Sequence, residues 1–217
     1  MRDFLKDVTK VGFDLDQTLY PDSPEIQERV RTEIAKRIVE VKTDLKIDQA
    51  RDYFEQTYER LGSGSKVLKE IGYEHPERVM DGCLANADVL NLIKRNDKLS
   101  YIMKEAAKKY TLFLLTSSPQ DLADKKLKRI GIPSDIFTYK LYSTTPNIGS
   151  KSSGEAFKFL LSLTRVKPEE HLYFGDRLTS DILPAKRLGM YTGTVWKDIP
   201  EADFFIPHIN DLERILL

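Results

Sequence analysis

Residues 11–20, VGFDLDQTLY, decide the fold of this chain of 217 residues. The short apolar run at 11–15 is interrupted by Asp14 and is followed by Asp16 and Thr18. Such a run, ending in polar residues, is typical of a buried strand that leads into a loop. Side chains two residues apart in an extended chain point to the same side. The segment therefore predicts a strand with two carboxylates at its carboxyl end.

After residue 98 the sequence alternates between strand-like and helix-like segments. The predicted strands are 111–116, 137–142, 171–175 and 191–195, and helical apolar spacing lies between them. One of these helices is predicted to begin at Ser118-Pro119, with the proline in its first position, and to end at Gly131. Repeated strand and helix units predict a doubly wound, Rossmann-like parallel sheet, in which ligands bind at the carboxyl ends of the strands.

The stretch 21–97 carries only helical patterns. Its first apolar stripe has helical spacing and comprises Ile26, Val30, Ile34, Ile38 and Val41, and a second stripe comprises Ala50, Phe54, Tyr58 and Leu61. We therefore expect a catalytic core of residues 1–20 and 98–217, with an inserted, all-helical cap domain at 21–97. Because the insert follows the first strand directly, it is placed to act as a lid.

Composition and charge exclude several classes of protein. Hydrophobic residues make up 41% and charged residues 31%, which is typical of a globular chain. Lys plus Arg is 34 and Asp plus Glu is 34, so no net charge favours nucleic acid or an anionic membrane. The single cysteine, Cys83, cannot form an intrachain disulfide and is expected to be a small buried residue. No membrane-spanning run or signal peptide is evident, so a cytoplasmic monomer or homodimer is expected.

Four motifs in order give the strongest functional signal. They are Asp14-x-Asp16-x-Thr18 after an apolar strand, Thr116-Ser117 after a second strand, Lys151 before a helix, and Gly175-Asp176 followed by Asp181. In type, order and spacing they resemble the haloacid dehalogenase superfamily, and the resemblance covers the predicted core. The family usually has proline after the lysine, whereas Ser152 stands here.

The resemblance implies a role for each motif residue in phosphoryl transfer. Asp14 would be the nucleophile that forms a phosphoaspartate, and Asp16 the general acid and base. Thr116, with the Ser117 amide, would bind a phosphate oxygen, and Lys151 would neutralise charge on the nucleophile and phosphate. Thr18 would brace the first loop.

The acidic residues of these motifs need a cation if they are to accept a phosphate dianion. Mg²⁺ prefers hard oxygen ligands and bridges carboxylates to phosphates. By resemblance its ligands are the Asp14 carboxylate, the Asp16 main-chain carbonyl and the Asp176 carboxylate, while Asp181 acts on the metal site through a neighbouring ligand or through a water molecule.

The residues around the first motif and in the insert bear on the substrate. Tyr20-Pro21 and the turn GSGSK at 62–66 are similar to the pyrimidine 5′-nucleotidase-like branch of the superfamily, although that branch usually has Asn at the positions of Gln17 and Ser117. We therefore expect a small phosphorylated metabolite as substrate, with a nucleoside monophosphate favoured. The candidate substrate-facing residues are Tyr20, Ser63, Ser65 and Lys66.

Several alternatives stay open at this stage. A phosphosugar or phosphoglycolate phosphatase, or a phosphomutase, would use the same motifs. A dehalogenase would leave Asp16 and Asp176 unexplained, and a non-catalytic binding protein has no need of the full set. For single residues, a helix-capping hydroxyl at Thr116 or Ser117, a solvated lysine at 151 and a helix cap at Asp181 are the alternatives.

Overall fold

The computed structural model describes residues 4–217, so residues 1–3 of the predicted core lie outside the described part. The chain divides into two compact units. One comprises Met1–Pro21 and Ile93–Leu217, and the other comprises Asp22–Leu92. The predicted domain boundaries, after residues 20 and 97, lie close to these divisions.

The first unit is built on a six-stranded parallel sheet. Its strands are β1 (Lys10–Phe13), β2 (Thr111–Leu115), β3 (Phe137–Leu141), β4 (His171–Gly175), β5 (Tyr191–Val195) and β6 (Phe204–Ile206). The spatial order is β3-β2-β1-β4-β5-β6, and all pairings are parallel. The chain therefore builds the sheet in both directions from β1, and the predicted doubly wound fold is confirmed.

The second unit is helical. Its helices are α1 (Pro24–Val41), α2 (Ile47–Leu61), α3 (Gly64–Glu70) and α4 (Pro76–Asn86), and a short 3₁₀ turn, Leu90–Leu92, follows them. The apolar stripes of α1 and α2 supply much of its core, where Ile34, Ile38 and Phe54 are buried with Cys83. The thiol of Cys83 is free and buried, as expected, and burial raises its pKa to about 11.

The remaining helices belong to the unit with the sheet. They are α5 (Asp97–Ala106), α6 (Gln120–Ile130), α7 (Glu155–Thr164), α8 (Leu183–Arg187) and α9 (Glu213–Leu216). The predicted start of α6 was wrong by one position, because Pro119 is the extended cap residue and the helix begins at Gln120. Its predicted end is confirmed by Gly131, which adopts a left-handed φ of 95°. Across residues 4–217, no helix combines the length and apolar character needed to span a bilayer.

Aromatic packing holds the centre of the sheet. The rings of Phe13 on β1 and Phe174 on β4 stack with centroids 5.3 Å apart. Gly12 lies opposite Phe113 of β2, where a Cβ atom would stand 1.8 Å from the Phe113 ring. Glycine is therefore required at this position, since any side chain would displace a buried aromatic residue next to the first motif.

Candidate active site

The loop after β1 presents the first two aspartates. The Asp14 amide donates a hydrogen bond of 2.8 Å to the Phe174 carbonyl, so the backbone of this residue continues the sheet pairing beyond β1. Gln17 has a positive φ of 60°, which turns the chain back on itself. The Trp196 indole N–H, 3.1 Å from the Thr18 carbonyl, ties the far side of the loop to the end of β5. The loop is thus held at both ends.

Lys151 lies between two of the aspartates. Its Nζ atom is 2.9 Å from Oδ1 of Asp14 and 2.6 Å from Oδ1 of Asp181. The lysine is buried, and its Nζ also lies 3.4 Å from the Tyr173 hydroxyl. That hydroxyl in turn lies 2.9 Å from the Leu115 carbonyl at the end of β2. The structure therefore places Lys151 beside Asp14 in the core and not in solvent.

Asp181 approaches the site because Gly175 ends β4. A Cβ atom at residue 175 would stand 2.4 Å from the Asp181 Cβ, so only glycine allows this approach. Asp181 is fully buried within a π-helical turn, Leu178–Ile182, and its Oδ2 accepts a hydrogen bond from the Arg177 amide. The carboxylate thus stabilises the turn that carries it while its other oxygen contacts Lys151.

Three carboxylates form a cluster that fits a divalent cation. Asp14, Asp176 and Asp181 each offer an oxygen within 4.8 Å of the others. Among the described residues, Oδ1 of Asp176 is a buried atom with no hydrogen-bond partner. Burial, followed by the charges of Asp181 and Asp14, raises the pKa of Asp176 well above its usual value. The other oxygen of Asp176, Oδ2, lies 3.6 Å from Arg177 Nε. Hard oxygen donors around one buried carboxylate oxygen without a partner suit Mg²⁺.

Asp16 faces a different set of partners. Its Oδ1 accepts hydrogen bonds from Lys126 Nζ, at 2.5 Å, and from the Tyr20 hydroxyl, while Ser118 donates to Oδ2 at 2.6 Å. Burial raises the pKa of Asp16, but the charge of Lys126 and the three hydrogen bonds outweigh it and lower this pKa to about 2. In this arrangement Asp16 is a fully hydrogen-bonded carboxylate.

Thr116 and Ser117 differ in exposure although both follow β2. Thr116 is buried, and its amide donates to the Leu141 carbonyl at 2.9 Å. Its hydroxyl accepts a hydrogen bond from the Ser118 amide at 3.1 Å, whereas Ser117 is exposed. The Thr116 hydroxyl is therefore held at the end of β2. Phosphate binding by Thr116 and Ser117 stays a prediction.

The remaining predicted substrate residues fall in two places. Tyr20 is buried in the unit with the sheet, where its hydroxyl contacts Asp16. Lys66 is an exposed residue of α3 in the helical unit, Ser65 precedes it, and Ser63 occupies the position before the helix without a capping hydrogen bond from its side chain. Substrate contact by Lys66 and these serines stays a prediction.

Lys126 is the site residue that the sequence analysis missed. It is only 1% exposed and lies on the buried stripe of α6 with Leu122, Leu127 and Ile130. Lys126 is four residues from Leu122 and four from Ile130, so the helical spacing places it on the buried face of α6. A lysine in such a position indicates a buried ion pair, because Lys is almost never fully buried without a charged partner. That partner is Asp16.

The sequence is similar to that of known hydrolases. The model of a hydrolase family, haloacid dehalogenase-like hydrolase, matches residues 11–189. A glyceraldehyde 3-phosphate phosphatase of Methanocaldococcus jannaschii is 28% identical over 216 residues, covering 94% of this chain and 93% of the relative. A second phosphatase of that name, from Methanopyrus kandleri, is 28% identical over 195 residues, covering 85% of this chain and 82% of the relative.

A solved structure extends the comparison to the fold. The crystal structure of a phosphatase from Thermococcus onnurineus superposes with a TM-score of 0.64 at 20% identity, over 96% of this chain and 98% of the other. The likeness thus spans the helical unit as well as the sheet.

Proposed function

The chain belongs to the haloacid dehalogenase-like hydrolase family, and from the chemistry of its site we propose that it is a phosphatase that hydrolyses a small phosphosugar. The observation that carries the proposal is the placement of Lys151 between Asp14 and Asp181, with a second carboxylate, Asp16, two residues along the same loop. Phosphoryl transfer needs this set: a nucleophile, a proton donor and fixed positive charge.

In the proposed reaction the two carboxylates of the loop have separate tasks. A carboxylate oxygen of Asp14 attacks phosphorus, and the bond from phosphorus to the substrate oxygen breaks. Asp16, which is ionised in the free site, takes up a solvent proton as the phosphate dianion binds beside it and passes this proton to the leaving alkoxide. It then receives a proton from the water that attacks the phosphoaspartate. Inorganic phosphate leaves, Asp16 releases its proton, and both aspartates return to their starting state. Lys151 stays beside Asp14 throughout and balances its charge.

Mg²⁺ fits the carboxylate cluster and would be held by Asp14 and Asp176, with Asp181 close by. When bound it supplies positive charge next to the phosphate oxygens. The protein contributes the rest of the arrangement, because Gly175 and the π-helical turn bring the Asp181 carboxylate to the cluster.

The relatives favour a phosphosugar over a nucleotide. The two reported above carry the name glyceraldehyde 3-phosphate phosphatase and align over most of their length. Of the substrates expected from the sequence, the phosphosugar alternative is therefore better supported than the nucleoside monophosphate. We propose a three-carbon sugar phosphate as the first substrate to test.

The test is a comparison of substrates with purified protein in Mg²⁺ and in EDTA. Release of inorganic phosphate is measured for glyceraldehyde 3-phosphate, phosphoglycolate, UMP and CMP. We expect the highest kcat/KM for the triose phosphate, with activity lost in EDTA and in Asp14→Asn. A higher kcat/KM for the nucleotides would overturn the proposed substrate class, and activity that survives in Asp14→Asn would overturn the proposed mechanism.

A further inference from the structure

The contacts around Asp16 bring together a group outside the four motifs. Lys126, on α6, is 1% exposed, and its Nζ contacts both Oδ1 of Asp16 and, at 2.9 Å, the Ser118 hydroxyl. The Ser118 hydroxyl contacts Asp16 as well, so the three polar groups form a closed triangle. A buried ammonium is costly unless it is paired and hydrogen-bonded, so this triangle is a specific structure and not a chance surface contact.

The triangle connects the first loop to the second motif. Ser118 donates its amide hydrogen to the Thr116 hydroxyl and its own hydroxyl hydrogen to Asp16. Lys126 reaches both Ser118 and Asp16 from one turn of α6. The position of the Asp16 carboxylate is thereby set relative to the end of β2, where the resemblance places the phosphate.

We infer that Lys126 is a positioning residue that orients Asp16 for proton transfer to and from the substrate oxygen. This inference rests on the proposed function, because it assigns Asp16 the acid and base role. The ammonium of Lys126 also favours the ionised form of Asp16, so the role inferred for Lys126 is to fix the position of the carboxylate and not to increase its proton affinity. Lys126 touches neither Asp14 nor the carboxylate cluster in the contacts described for it, and it acts through Asp16 and Ser118. A proton donor displaced by about 1 Å can lose about 100-fold in rate, so an anchor for it has a measurable effect.

A leaving-group comparison separates this role from a general loss of structure. An alkyl phosphate such as glycerol 3-phosphate needs a proton on its departing oxygen, whereas p-nitrophenyl phosphate releases a stable phenolate without one. The quantity kcat/KM reports the transfer to Asp14 and excludes the later hydrolysis. For Lys126→Met we expect a loss of about 10- to 100-fold with the alkyl phosphate and of less than about threefold with the aryl phosphate.

Two controls make the comparison specific. Lys125 precedes Lys126 on the same helix and is exposed, so Lys125→Met should leave kcat/KM unchanged for both substrates. In an Asp16→Asn background, Lys126→Met should cause no further loss with the alkyl phosphate, because the group through which it acts is gone. Lys126→Arg, which retains charge and donors, should recover part of the loss.

The outcomes distinguish this inference from the proposed function. Equal losses on both substrates, or an additive loss in the Asp16→Asn background, would overturn the positioning role while wild-type phosphatase activity stands. A wild-type protein that hydrolyses neither substrate would instead overturn the proposed function. Ser118→Ala removes a neutral partner of Asp16 without unpairing Lys126, and it should show the same selective loss even where Lys126→Met does not fold.

Discussion

Asp14 and Asp16 stand two residues apart on one loop, and each contacts a buried lysine, yet their surroundings shift their pKa values in opposite directions. Burial raises the pKa of Asp14 to about 6, against the charge of Lys151 and with help from Asp181 and Asp16. For Asp16 burial also raises the pKa, but Lys126, Ser118 and Tyr20 together lower it to about 2. The two carboxylates of this one loop therefore differ in their charge environment in the free site.

The charges around the two pairs explain the difference. Asp16 and Lys126 form a balanced pair with neutral hydrogen-bond donors beside it. On the Asp14 side, one ammonium at Lys151 faces three carboxylates, those of Asp14, Asp176 and Asp181. Arg177 also contacts Asp176, at 3.6 Å, but the carboxylates on the Asp14 side still outnumber the cations. The proposed Mg²⁺ would therefore balance charge on the Asp14 side of the loop and not on the Asp16 side.

The largest effect is expected when the two carboxylates are neutralised in turn. Asp14→Asn removes the proposed nucleophile and should lower kcat by about 10⁴-fold for any phosphate ester. Asp16→Asn should lower kcat/KM by about 100-fold or more for an alkyl phosphate but much less for p-nitrophenyl phosphate. Steady-state kinetics on both substrates checks this. Equal behaviour of the two variants would remove the distinction between nucleophile and acid.

Removing each lysine tests the charge balance. Lys151→Met leaves Asp14 and Asp181 buried without a cation, and the free energy of unfolding in EDTA should fall by about 3–5 kcal/mol. Because this variant has a larger negative excess, Mg²⁺ should raise its Tm more than it raises the wild-type Tm. Lys126→Met instead leaves Asp16 without its cation, away from the carboxylate cluster. The Mg²⁺-dependent Tm shift of this variant should therefore equal that of the wild type. Thermal unfolding with and without Mg²⁺ measures both, and identical Mg²⁺ shifts in the two variants would contradict the division of charge.

The pH dependence of stability should have opposite signs at the two aspartates. For Asp16 the folded pKa, about 2, lies below the ordinary 3.8, so its stabilisation is present above pH 4 and is lost as the pH falls through 2. For Asp14 the folded pKa, about 6, lies above 3.8, so ionisation of its carboxylate opposes folding above pH 6, and this cost disappears as the pH falls to 4.

Denaturant unfolding in EDTA can isolate these contributions. The wild-type free energy of unfolding, measured relative to Asp14→Asn, should rise between pH 7 and pH 4. Measured relative to Asp16→Asn, it should fall between pH 5 and pH 3, towards a total change of about 2 kcal/mol. Two differences that change with pH in the same direction would show that the two environments are alike.

The same comparison shows what the sequence could predict. The alternation of apolar strands with helices ending at Gly131 and Gly189 predicted the sheet, because each strand and each stop is local. Asp14, Lys151 and Asp181 were predicted as site residues from motifs, and the structure brings them into contact. The motifs and their order in the chain were therefore enough to predict the residues that contact Asp14.

The Asp16 side was less accessible to prediction. Lys126 belongs to no motif, and its partner lies 110 residues away in the chain, so only folding reveals the pair. The edge strand β6 was also missed, because its few residues have no internal periodicity and are fixed by pairing with β5. Local sequence patterns predict helices and strands. A tertiary ion pair, by contrast, is visible in the sequence only as a lysine at a position of α6 where an apolar residue is expected.

Tyr20→Phe is the smallest change, and it tests whether this residue belongs to the substrate or to Asp16. The hydroxyl contacts Asp16, so its loss should remove one hydrogen bond to a carboxylate that keeps Lys126 and Ser118. We expect kcat/KM for an alkyl phosphate to fall by a few-fold, about 1 kcal/mol, with little change for p-nitrophenyl phosphate. A rise in KM on both substrates would instead place the hydroxyl on the bound phosphate ester. Because the phenyl ring is retained, packing is preserved, and any selective loss is due to the single hydrogen bond that helps to make Asp16 different from Asp14.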